Sequence, residues 1–181
     1  MSLRLRAVRV FLPPFLKRKH FRRLFFITAE AFDIPMPALD GRSHEAGLRL
    51  FSQFTRENAL KAIAARDAGA VGERLYRNAR EFGGELRRSL GIRTSADVMA
   101  AARVLYRAIG IDLRGAPDGA IVVRSCRFAP DYTPAVCELI SSLDRGIMTG
   151  LAGGGELRFS RRLTEGHDSC RAVLGRESGR G

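Results

Sequence analysis

All three cysteines of this 181-residue chain, and one of its three histidines, fall between Cys126 and Cys170. Three sulfurs and one imidazole are the donor set of a tetrahedral Zn²⁺ site or of an iron–sulfur centre. Cys126, Cys137, His167 and Cys170 therefore form a candidate metal constellation, in which His-x-x-Cys would bring two donors to one point from a single turn. The same residues admit a second chemistry, with Cys137 as nucleophile, His167 as its base, and Asp168, Asp131 or Glu138 in support. Cys137 leads because Thr133-Pro134 reads as a helix start, the hydroxyl capping a free N–H and proline losing nothing at the first position. A thiol in that first turn sits at the positive end of the helix dipole, which favours the thiolate.

Each residue also has an ordinary reading. Isolated cysteines are commonly buried as small hydrophobes, and His167 beside Asp168 fits an exposed turn. The cysteine spacings match no tight zinc-finger template. Gly153-Gly154-Gly155 lacks the phosphate-loop pattern and follows a helix, so it reads as a helix stop and the start of a hairpin. His20 and His44 have no ligand-like neighbours.

The elements that must position these residues fall into two regions. Apolar residues at helical spacing predict helices over Phe15 to Phe32, from Ser43 to near Gly69, and from Val71 to Leu90, where Gly83-Gly84 would weaken or bend the helix. A fourth, capped by Ser95, runs to Gly110. After the turn Ala116-Pro117-Asp118-Gly119 the pattern changes. Ala120 to Cys126 reads as a strand and Thr133 to about Leu151 as a helix. Glu156 to Arg161 and Ala172 to Leu174 read as further strands. The fold class expected is α+β, a mostly helical N-terminal portion packed on a small antiparallel sheet with one further helix. The expected organisation is a basic amphipathic segment at 1–40, one domain at 41–174 holding the Cys/His pocket, and a disordered tail at 175–181.

Composition bounds the function. Hydrophobic residues at 45% and charged residues at 28% are ordinary globular values. The net charge of +12 is uneven, because eight basic residues and no acid lie between Met1 and Ile27. A basic amphipathic helix carrying phenylalanines can cover a core, or make peripheral contact with an anionic membrane through residues 1–32. Nucleic acid is the disfavoured partner. No apolar stretch is long enough to span a bilayer and no export pattern is present, so three unpaired thiols suggest a reducing, cytoplasmic setting, at most peripheral to the inner face of the membrane.

The order of a cysteine at a strand end, Tyr132-Thr133-Pro134-Ala135-Val136-Cys137 opening a helix, a glycine-rich turn, and Glu165-Gly166-His167-Asp168-Ser169-Cys170 resembles the L-2-amino-thiazoline-4-carboxylic acid hydrolase family. The resemblance covers roughly residues 54 to 174, with the specific motifs from Cys126 onward. It implies ring-opening hydrolysis of a C–N bond in a cyclic amidine, water adding to the carbon between ring nitrogen and sulfur. The matching positions are Cys126, Cys137, His167 and Cys170. A carboxylate substrate would also need a cation, and Arg124, Arg127 and Arg171 flank the cysteines. A more distant similarity is to 4-vinyl-reductase-type small-molecule-binding domains, which implies the alternative of a non-catalytic metal- or redox-sensing binding domain. The cofactor is open between none, Zn and an iron–sulfur centre.

Overall fold

The computed structural model describes Leu5 and residues 13 to 175, so most of the N-terminal arm and of the expected tail lies outside the described residues. Four helices come first: α1 Pro14–Ala31, α2 His44–Ala64, α3 Ala68–Leu90 and α4 Ser95–Ala108. Strands β1 Ile111–Gly115 and β2 Ala120–Cys126 follow, then a short 3₁₀ turn at Ala129–Asp131 and helix α5 Pro134–Ala152. Strand β3 Glu156–Arg161, a second 3₁₀ turn at Leu163–Glu165 and β4 Cys170–Gly175 complete the chain. The sheet is antiparallel in the order β1-β2-β4-β3, and the fold is α+β as expected.

Local chemistry accounts for most boundaries. Pro14 opens α1, and Ser43 Oγ caps α2 by accepting from Ala46 N. The cap of α4 is Thr94, one residue earlier than expected. Its hydroxyl accepts from Asp97 N while the Asp97 carboxylate accepts from Thr94 N, a reciprocal capping box. Helix α2 stops at Ala64 rather than near Gly69, because Arg66 takes a left-handed backbone (φ 59°) and turns the chain into α3. Strand β1 was not expected. Its alternation of Ile111 and Leu113 with Asp112 and Arg114 is only five residues long and abuts a helix end.

Helix α5 is the central element. Twelve of its residues are buried, because the sheet covers one side and α3 the other, the pattern of a helix apolar nearly all round. The helix runs unbroken through Gly83 and Gly84, and the approach of α5 to α3 explains the glycine at 83. A Cβ there would stand 2.4 Å from the carbonyl oxygen of Ile147, and one at Gly146 would stand 2.3 Å from that of Tyr76. The two backbones touch because neither carries a side chain at the crossing.

Helix α1 joins the same core through Phe21, Leu24 and Phe25. Phe25 meets Phe51 edge-on at 5.1 Å, and Phe51 meets Phe128 at 5.8 Å. The basic segment expected at 1–40 thus contributes part of the hydrophobic core. Among the described residues no helix is long and apolar enough to cross a membrane.

Candidate functional site

Two β-bulges decide what the sheet presents to the helices. Ile121 and Val123 face inward on β2, so strict alternation would turn Cys126 to the solvent side. Between β1 and β2 the register slips: Leu113 pairs with Val123 and Asp112 with Ser125, which leaves Arg124 as the extra residue. Cys126 is thereby returned to the inner face opposite Ile111. The same device acts on β3. Phe159 pairs with Ala172 and Arg161 with Arg171, so Ser160 is the extra residue, and Arg162 comes round to the face of Leu157 and Phe159. Its guanidinium lies 5.0 Å from the centre of the Phe159 ring.

The inner face and α5 enclose two adjoining cavities. The larger, about 110 Å³, runs from Lys17, His20 and Leu24 on α1, past Phe51, Phe82 and Phe128, to Cys126, Cys137, Asp144 and Cys170. The smaller, about 60 Å³, lies against the sheet and is bounded by Leu157, Phe159 and Arg162. Both are lined by Tyr106, Cys126, Cys137, Ser141, Asp144 and Cys170. The polar groups on α5 follow from helical spacing, since Cys137, Ser141 and Asp144 stand at i, i+4 and i+7 and share one face. The loop after β2 is pinned over the cavity. Ser52 donates to Asp131 Oδ2 at 2.5 Å, Tyr132 bonds Thr55, and the Tyr132 ring stacks on Phe128 at 6.0 Å.

Three of the four expected site residues therefore converge and the fourth does not. His167 is exposed between the second 3₁₀ turn and β4, with Nε2 4.0 Å from Glu165 Oε2, and it lines neither cavity. Among the described residues no group of three His, Cys, Asp or Glu side chains is placed to hold a metal ion, so the donors do not fit the Zn or iron–sulfur centre. His167 is equally remote as a base for Cys137. Asp168, Asp131 and Glu138 are exposed and line neither cavity.

The expected thiolate at Cys137 is also corrected. Cys137 does occupy the first turn, its N–H bonding Thr133 O at 2.9 Å. A helix terminus is worth about 0.3–1 kcal/mol to a charge, whereas enclosure in an apolar wall can cost several times that. Burial pushes the Cys137 thiol up, against the pull of Thr164 and Ser141. Burial likewise pushes Cys170 up and Cys126 up to about 12. All three are free thiols.

Arg124, Arg127 and Arg171 are not cavity residues. Arg124 and Arg171 are exposed on the sheet, and Arg127 packs over Gly110 and donates to Glu45, Nη1 to Oε2 at 2.8 Å. The cations that do line the cavities are Lys17 at the α1 end and Arg162 at the sheet end. His20, set aside in the sequence, is also a wall residue, its pKa lowered by burial and then by Lys19.

The most perturbed acid is Asp144. Enclosure raises its carboxyl to about 6, although the Tyr106 hydroxyl donates to Oδ1 at 2.8 Å and Arg162 and Arg145 pull the other way. Asp144 lines both cavities. The signal for it was present in the sequence, an acid seven residues after Cys137 on a mostly apolar helix. No family model matches the chain, and no curated protein or solved structure matches it.

Proposed function

We propose that the chain is a binding domain for a small, largely apolar molecule held between α1, α5 and the inner face of the sheet. One observation carries this reading: a cavity whose outer walls are aromatic and aliphatic collects thiols, hydroxyls and one carboxyl at its inner end. That is the usual make-up of a ligand site, apolar surface for affinity and a few polar groups for orientation. Three thiols held protonated by burial suit binding better than nucleophilic attack.

Ring-opening hydrolysis of a 2-aminothiazoline carboxylate is the second reading, favoured by the proton affinity of Asp144, which lies near that of a working general base. Product formation from that substrate, lost in Asp144→Asn, would put it first. A third element of the proposal is peripheral contact with an anionic, cytoplasm-facing membrane. Phe15, Lys19, Arg22 and Phe26 share the outer face of α1, with Phe15 68% and Phe26 47% exposed.

The binding reading is tested with a neutral aromatic probe, 3-phenylpropanamide, titrated by NMR into the wild type and into Leu105→Trp, which fills the cavity from its half-buried rim. Saturable shifts in the wild type and at least about tenfold weaker binding in the variant are expected. No saturable binding by the wild type, or equal binding by both, would overturn it.

A further inference from the structure

Arg162 is a cation that lines the smaller cavity and has an unfilled bonding position. Its side chain is only 18% exposed, and its one ion pair among the described residues is a long 3.4 Å contact from Nη1 to Glu165. Its Nε is buried and has no hydrogen-bond partner. Thr164 Oγ1, two residues on, is also buried, and it bonds only the weakly accepting sulfur of Cys137, with no oxygen or nitrogen acceptor. Leaving a buried donor unmet forfeits the bond it had to water, at a greater cost when the donor is charged. A buried charged donor with no acceptor, and a second donor two residues on with only sulfur for one, point to a missing acceptor. Asp144 is not that acceptor. It feels the charge of Arg162, yet no ion pair within 4.0 Å joins them, and its Oδ1 is occupied by Tyr106.

The position of the two donors is specific. Thr164 lines the larger cavity, Arg162 the smaller, and the two cavities share their polar walls. The bulge at Ser160 brings Arg162 there, since regular alternation would send it to solvent. Through the shared walls, a molecule carrying that acceptor has room to extend to the aromatic end, among Phe21, Phe51, Phe82 and Phe128.

We propose that the junction of the two cavities is a carboxylate site and that the ligand is an aryl-substituted carboxylate. Its ring lies among the phenylalanines and its carboxylate accepts from Arg162 Nε and Thr164 Oγ1. This inference rests on the reading of the cavity as a ligand site, and it adds the charge and chemical class of the ligand. A guanidinium bond to a carboxylate is charge-assisted and geometrically selective, so an isosteric neutral amide is the discriminating comparison.

The experiment titrates 3-phenylpropanoate and 3-phenylpropanamide by NMR into the wild type, Arg162→Gln and Thr164→Val. The wild type should prefer the carboxylate by about tenfold or more. Arg162→Gln should weaken the carboxylate by about tenfold or more and leave the amide within about twofold, the amide serving as the control for an intact fold. Thr164→Val should weaken the carboxylate by about threefold to tenfold, and it decides the matter if Arg162→Gln does not fold. Equal wild-type affinity for the two probes, or parallel losses of both in each variant, would overturn the carboxylate site while the cavity reading stands. Failure of both probes to bind the wild type would overturn both.

Discussion

Replacing Asp144 by Asn should stabilise the protein at neutral pH. The folded chain raises this carboxyl from 3.8 to about 6, mainly through enclosure. A folded-state pKa above the unfolded one means that between these values the folded chain keeps a proton the unfolded chain has released. Stability therefore falls as pH rises through this window and stays low above it. Each tenfold change in proton affinity is worth about 1.4 kcal/mol, so the deficit above pH 6 is about 3 kcal/mol. Asparagine keeps an oxygen to accept from the Tyr106 hydroxyl and carries no charge to desolvate. Urea unfolding of Asp144→Asn should show a gain approaching about 3 kcal/mol at pH 7.5, shrinking to within about 0.5 kcal/mol near pH 4, where both side chains are neutral in the fold. Asp97 and Glu45, whose pKa values are lowered, give the opposite slope in a more acidic window. Both proteins share that slope, so it cancels in the difference. Equal stabilities at pH 7.5, or a less stable variant, would refute the argument by showing that the carboxylate is compensated in the fold.

Three further outcomes test other parts of the description. Gly83→Ala should cost about 2–4 kcal/mol or prevent folding, since its Cβ would meet the Ile147 carbonyl, whereas Gly84→Ala, which meets only Arg88 Nη1 at 3.6 Å, should be neutral or gain up to about 1 kcal/mol; thermal unfolding of the pair checks this. All three thiols should react with a disulfide reagent at least about tenfold more slowly in the native protein than in urea, Cys126 slowest; rapid native labelling of Cys137 would restore the dipole argument. In sedimentation with anionic vesicles, Phe15→Ser combined with Phe26→Ser should weaken membrane association by about tenfold or more, and neutral vesicles should bind neither protein.

Most of the helices and strand β2 were legible because amphipathic periodicity and caps are local. The stripe through Phe21, Leu24 and Phe25, the Thr133-Pro134 start and the Gly153 stop each depend on a few neighbouring residues and hold in any fold that buries them. The clustering of Cys126, Cys137 and Cys170 at one site was likewise visible, and the spacing of Cys137, Ser141 and Asp144 puts them on one face of any helix that carries them. Three things were not legible. The bulges at Arg124 and Ser160, which aim Cys126 and Arg162 inward, are slips in pairing between strands, and no single strand's alternation records its partner's register. Gly83 looks like a helix weakness until the α5 backbone lies against it. The state of the thiols is hidden from the sequence for the same reason: the helix dipole belongs to one element, whereas the apolar enclosure that overrides it is assembled from α1, α4, α5 and the sheet together.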